Sequence, residues 1–197
     1  MSGCTHSPAG YAADYAGAHA SWHGDSPVPT AAGTRLSLRL ESLRGLSVVR
    51  RQVRHFLFSS LGGRRDEEVP PAVEDAVERA VLVVDELTSN ALRHGSAPSS
   101  LHIGDDGGRW TVVVTDGAPE RAPTPAGERP AGQGGYGLHV IADLTTGHGV
   151  HHEPERKLVW ACLLKPRWTS LAPGAAGSRR TACCGRDDIA VPPSGPP

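Results

Sequence analysis

The sequence predicts an α+β domain in which helices gather on one face of a mixed, mostly antiparallel sheet. Three observations carry this expectation. Leu36, Leu38 and Leu40 alternate with Ser37, Arg39 and Glu41, the period-two signature of a half-buried strand. Two amphipathic helical segments, 46–61 and 71–93, then follow one another with no strand between them. Beyond them the apolar stretches 101–103 and 110–115 flank Asp105-Asp106-Gly107-Gly108, which reads as a hairpin turn. The resulting order, β-α-α-β-β-loop-α-β-β, lacks the strict alternation of a doubly wound parallel sheet.

In the first helix Val49, Val53, Phe56 and Leu57 share one side, and Gly62 and Gly63 stop it. Arg50, Arg51 and Arg54 lie largely elsewhere and read as a solvated face, with an acidic partner as the alternative. The second helix opens on Pro71, a residue suited to a first turn, and ends near Gly95, a natural terminator. A Pro/Gly-rich loop occupies 118–135, followed by a short helix over 138–144 and strands near Val150 and over 157–164. Trp110 and Trp160 fall in strands and read as core rather than as platforms for stacked bases.

Residues 1–33 and 167–197 are rich in small residues and Pro, without a repeating apolar pattern. Such segments bury too little apolar surface to offset the entropy of ordering them, so both are expected to be disordered tails around a domain at 34–166. A hydrophobic content of 38% with 21% charged residues fits a soluble globular protein. The net charge of -1 supplies no global field toward nucleic acid or a membrane surface. No stretch approaches the roughly 20 apolar residues that span a bilayer. The first residues also lack the basic start and apolar core of a secretory signal. The four cysteines form no disulfide or metal pattern, so a reducing cytoplasm is the expected compartment. Lys occurs only at Lys157 and Lys165 and Arg supplies the other basic residues, which together with the many Ala, Gly and Pro indicates a GC-rich genome. Among the ten histidines, His148, His151 and His152 invite a metal hypothesis. Residues 151 and 152 would point to opposite faces of a strand, which argues against a shared ion.

The second helix carries the chemistry. At about 100° per residue, Val77, Val84, Leu87 and Ala91 cluster on one side, and Glu86, Asn90 and Arg93 on the other. An amide oxygen can ligate a hard cation such as Mg²⁺, and a carboxylate one turn away can orient or deprotonate a hydroxyl. The bland reading is a solvated polar face. Leu82, Val83 and Leu92 leave little of this helix for water, so the narrow polar strip is expected to line a cavity. Downstream, Asp116-Gly117 ends a strand, where a carboxylate can accept a hydrogen bond from an exocyclic amine such as that of adenine, though a plain turn would look the same. Gly132-Gln133-Gly134-Gly135-Tyr136-Gly137-Leu138 leads into a helix, and its exposed N–H groups would suit phosphate, though it could instead be a flexible linker.

Taken together, these segments resemble one family. Glu86-Leu87-Thr88-Ser89-Asn90-Ala91 resembles the N-box of the GHKL ATPase/kinase superfamily, Val114-Thr115-Asp116-Gly117 its G1 box, and Gly135-Tyr136-Gly137-Leu138 its G2 box. The stretch 84–96, with a closing strand bearing Val159-Trp160, looks specifically like the single-domain anti-sigma-factor serine kinases. The resemblance spans about 36–164 and implies the Bergerat ATP-binding fold, with ATP and Mg²⁺ as cofactors. It implies that Asn90 holds Mg²⁺, Glu86 is the catalytic base and Asp116 takes the adenine amine. Gly117, Gly135 and Gly137 would shape the nucleotide pocket, the latter two near the phosphates, and Arg93 would help neutralise phosphate charge. Two departures stand out: Gly117 follows Asp116 directly where the family usually reads Asp-x-Gly-x-Gly, and the last glycine of a full G2 box is replaced near His139.

The resemblance implies a serine/threonine protein kinase that phosphorylates an anti-sigma-factor antagonist and sequesters a sigma factor. Homodimerisation is a further option, and no direct role for nucleic acid or membrane is expected. The alternative is a non-catalytic, nucleotide-gated module that holds its partner without phosphoryl transfer. Intact Glu86 favours the kinase and the altered G1 box favours the module. A sensor histidine kinase is disfavoured, since no helical dimerisation segment with a phosphoaccepting His precedes Leu36.

Overall fold

Strand pairing sets the architecture of the chain. The computed structural model describes residues 22, 24–30, 34–62, 68–123 and 136–168. Its strands are β1 (Thr34–Leu40), β2 (Ser99–Asp105), β3 (Arg109–Asp116), β4 (Gly147–His152) and β5 (Lys157–Leu164). Its helices are α1 (Leu46–Ser60), preceded by a 3₁₀ turn over Leu43–Gly45, α2 (Pro71–His94) and α3 (Gly137–Leu144). The strands form one sheet in the order β1-β2-β3-β5-β4, with every named pair antiparallel. The predicted element order therefore holds along the described chain.

Register puts the apolar residues on one face. Leu101 lies opposite Val114, Ile103 opposite Val112, and Val112 opposite Ala161. Because side chains alternate along a strand, these residues join Trp110, Val159 and Leu163 on the face that α1, α2 and α3 cover. Val53 and Leu57 of α1 and Val77, Val84 and Leu87 of α2 complete that core. The opposite face is polar near β1 and β2. There Ser37 Oγ and Ser100 Oγ lie 3.1 and 2.9 Å from the two ring nitrogens of His102, and Ser100 Oγ is 2.7 Å from Thr115 Oγ1. Burial, with the nearby Arg156 charge, pushes His102 below its ordinary value and favours the neutral ring.

The hairpin between β2 and β3 forms where the Asp-Asp-Gly-Gly run predicted it. Gly107 adopts φ +88°, a conformation few L residues share. The Asp106 carboxylate accepts from the N–H groups of Gly108 and Arg109, which holds it below the usual carboxylate range. Lys165 ties this hairpin to α1: its Nζ donates to Asp105 and to the Ser60 carbonyl, each at 2.9 Å, satisfying an orphan acceptor at the helix end. The basic run of α1 turns partly inward on the chain's own acids. Arg50 pairs with Asp85 at 3.3 Å, and Arg54 pairs with Glu74 and Glu78 of α2. Such half-exposed pairs add little stability, so they orient the two helices more than they hold them.

The segment before β1 departs from the expected tail. Trp22 is 1% exposed and stacks on His148 with ring centroids 4.5 Å apart. Asp25 forms a parallel bridge with Val150, so this segment lines the outer edge of β4. Ser26 N–H donates to the Val150 carbonyl at 2.7 Å, and Trp160 Nε1 donates to the Ser26 carbonyl at 3.0 Å. Composition hid this because one indole, not a periodic apolar pattern, supplies the burial. The folded unit thus reaches back to Trp22 at least. The rest of the two expected tails, 1–21, 23, 31–33 and 169–197, lies outside the described residues.

Truncating a buried aromatic side chain typically costs about 3–5 kcal/mol. Trp22→Ala is therefore expected to lower the melting temperature by on the order of 10 °C, as is a chain shortened to begin at residue 34. Thermal unfolding followed by circular dichroism checks this, and unchanged melting would return the segment to the status of a tail.

Candidate functional site

The site is built along the C-terminal half of α2. Glu86, Asn90 and Arg93 lie at i, i+4 and i+7 and so share one face of the helix. The helix is not apolar all round as the sequence suggested, because Leu82 is 43% exposed. Enclosure at Glu86 comes instead from α3. A Cβ built on Gly137, the first residue of α3, would overlap Glu86 Oε2 and lie 2.9 Å from Glu86 Cδ. Gly137 thus sets the start of α3 directly against the carboxylate as it stands.

The Glu86 carboxylate makes no hydrogen bond among the described residues; it is the backbone carbonyl that accepts from Ser89 Oγ, at 3.2 Å. Burial, reinforced by the neighbouring Asp85 charge and only partly offset by Arg93, lifts its carboxyl above the ordinary glutamate range. A carboxylate raised in this way is better matched to accepting a proton from a hydroxyl near neutral pH. The Asn90 carboxamide is half-buried and likewise carries no hydrogen bond among the described residues, so its oxygen is uncommitted. Arg93 is exposed at the rim.

The other end of the site lies where α2 meets β3. Gly95 ends the helix, and a Cβ there would fall 2.5 Å from both Ala91 O and Asp116 Cγ. Asp116, the last residue of β3, is 2% exposed. Its Oδ1 accepts from the Ala118 N–H at 3.0 Å and from Lys157 Nζ at 2.8 Å, whereas Oδ2 has no hydrogen-bond partner among the described residues. Gly117 is held by its N–H donating to the Ser96 carbonyl at 2.8 Å, and a Cβ on it would come within 2.7 Å of Ala97 O. The structure therefore brings Glu86 to Gly137, and Asp116 and Gly117 to the end of α2. Gly135 lies outside the described residues, as does most of the loop before it.

Sequence reasoning missed Lys157 and the second role of Gly95. Lys157 could have been found as the residue facing Asp116 once β3 and β5 were paired. Gly95 carries no sequence signal beyond that of a helix stop. The histidines serve other ends: His151 Nδ1 lies 3.0 Å from Asp25 Oδ1, and His152 Nδ1 lies 2.7 Å from Pro119 O. Among the described residues no cluster fit for a metal ion forms from His, Cys, Asp and Glu alone, and no helix is long and apolar enough to cross a membrane.

A family model described as the histidine kinase-like ATPase domain matches residues 36–163. A solved structure of the RsbU and RsbW domains of Rv1364c from Mycobacterium tuberculosis is similar at 16% identity with a TM-score of 0.45. That alignment covers 68% of this chain and 34% of the other, so the chain spans about a third of that protein. No curated protein matches the chain.

The raised Glu86 carboxyl has a consequence for stability. Its favourable contribution is present below the ordinary glutamate value and is lost as pH rises through the higher value it has when folded. Glu86→Gln, always neutral, should melt above the wild type at pH 7, and the gap should close on acidification. Melting curves from pH 4 to 8 test this, and a gap that widens toward acid would show the carboxyl to be stabilised in its charged form.

Proposed function

The chain belongs to the histidine kinase-like ATPase domain family, and from that premise we propose that it binds ATP·Mg²⁺ along α2 and phosphorylates a serine or threonine of an anti-sigma-factor antagonist. The observation that carries this reading is the pair of uncommitted carboxylate oxygens at the two ends of one helix segment. Glu86 lies under the start of α3, and Asp116 Oδ2 lies at the end of β3 beside Gly95. Residues 86 and 95 are about 13 Å apart along a helix axis, room for a nucleotide lying with its base at Asp116 and its phosphates toward Glu86.

In this reading Asp116 Oδ2 accepts from the adenine amine, and Gly117 lets the backbone approach the base. The N-terminus of α3 at Gly137 would face the phosphates, where helix N–H groups favour anions, and Gly135 is assigned to them from the sequence alone. Asn90 would hold Mg²⁺ through its free amide oxygen, and the ion would neutralise phosphate charge. Arg93 adds a positive rim. Glu86 takes the proton of the substrate hydroxyl while that oxygen bonds to the γ-phosphorus. The bond from the γ-phosphorus to the β,γ-bridging oxygen breaks, and ADP leaves with that electron pair. The fold then serves as a regulator in the cytoplasm that holds a sigma factor when its antagonist is phosphorylated.

Most of phosphoryl-transfer catalysis is positioning and charge stabilisation, so the variants should separate. Asn90→Ala is expected to weaken ATP·Mg²⁺ binding roughly tenfold with little effect on melting. Glu86→Gln should keep ATP binding and sigma-factor binding while phosphoryl transfer to the antagonist falls by about 10²-fold or more. Calorimetry and single-turnover transfer from labelled ATP measure both. If wild type and Glu86→Gln bind ATP yet neither transfers phosphate to any serine partner, the chain is a nucleotide-gated binding module.

A further inference from the structure

We infer that Lys157 is a specificity-determining residue that aims Asp116 at an amine-bearing purine. This rests on the ATP-binding reading above. Asp116 and Lys157 are register partners at the ends of β3 and β5, on the sheet face that meets α2. Their side chains are 2% and 6% exposed, and the ammonium lies 2.8 Å from Oδ1. Lys157 Nζ also donates to the Ala118 carbonyl at 3.3 Å, while Ala118 N–H donates to the same Oδ1. Ala118 and Lys157 thus grip one carboxylate oxygen from two sides, and Gly95 packs close against Cβ and Cγ of the same side chain. The oxygen left without a hydrogen bond, Oδ2, has a fixed direction.

The chemistry of that oxygen decides the base. A carboxylate paired with an ammonium is an acceptor only. It complements a 6-amino group, which offers N–H, and opposes a 6-oxo group, which offers a lone pair. Hydrogen bonds to charged groups imply discrimination of roughly tenfold to a hundredfold.

A purely structural role explains less. A buried ion pair is seldom more stabilising than apolar residues of equal volume, so stability alone gives no reason to keep the carboxylate and ammonium together here. Composition sharpens the point. Of 20 basic residues only Lys157 and Lys165 are lysines, and both sit almost fully buried against an aspartate. An ammonium is a compact point charge with rotatable donors, whereas a guanidinium needs a wide planar site. The cramped space between Ala118 and Asp116 suits the former.

The test compares ATP with ITP, in which a 6-oxo group replaces the 6-amino group and N1 gains a hydrogen. Wild type is expected to prefer ATP at least tenfold by calorimetry. Lys157→Met, similar in length and uncharged, should weaken ATP binding and bring the ATP:ITP ratio near one. A merely structural lysine would weaken both nucleotides alike and leave the ratio unchanged, and that result in a variant that still melts cooperatively overturns the inference. Should Lys157→Met fail to fold, Lys157→Gln retains a neutral donor toward Asp116. A ratio between wild type and one supports the role, and a wild-type ratio overturns it. Wild type that binds neither nucleotide instead overturns the ATP-binding reading itself.

Discussion

The site depends on how closely the end of α2 approaches the end of β3. At Gly95 even one methyl group would meet Asp116 Cγ at 2.5 Å. That approach buries the Asp116 carboxylate, and a buried charge is costly unless it is paired and hydrogen-bonded. Lys157 supplies the pair and Ala118 N–H the hydrogen bond. Because Lys157 opens β5, the β3–β5 register cannot slip by a residue without turning the ammonium to the other face. One missing side chain on the helix therefore constrains the strand pairing at the centre of the sheet.

The carboxylate that α2 itself contributes is handled in another way. The Glu86 carboxylate has no cation in contact and no hydrogen bond among the described residues, and Gly137 lies against it. Its charge is disfavoured rather than compensated, as the upward shift of its carboxyl shows. The acids at the two ends of the site, Glu86 on α2 and Asp116 on β3, thus have opposite environments. Groups so divided are suited to different tasks, one to fixed recognition and the other to exchanging a proton.

Much of this was legible in the sequence. Period-two alternation at Leu36, Leu38 and Leu40, the Pro71 start, the Gly95 stop and the Asp-Asp-Gly-Gly turn are local signals, and the elements formed where those signals lay. Glu86, Asn90 and Arg93 share a face because helical periodicity alone requires it. What was not legible is non-local. Trp22 belongs to the core because the edge of β4 accepts Asp25 and Ser26, and nothing within residues 1–33 announces that edge. Lys157 becomes part of the site only when β5 pairs with β3. The exposure of Leu82 was misjudged for a related reason: an apolar residue on a helix is buried only if a neighbour arrives to cover it, and none covers that turn fully.

These placements also bear on how a site with an acid at each end could accept a polyanion. At about 13 Å, the axial span from residue 95 to residue 86, two unit charges at an effective dielectric near 20 interact by roughly 1 kcal/mol. A triphosphate carries several charges, so an unpaired Asp116 would oppose it by a few kcal/mol even from the far end of the site. The Lys157 ammonium, 2.8 Å from Oδ1, turns that monopole into a short dipole whose field fades much faster with distance. Glu86, which is nearer, has no such partner. Its raised carboxyl shortens the pH range over which it is fully charged, and Arg93 on the same helix face opposes what charge remains. As proposed, Asn90 would contribute an oxygen ligand with no charge at all. In the proposed reading the site keeps the acceptor oxygens it needs for base and cation while shedding the negative field that those oxygens would otherwise impose on the phosphates.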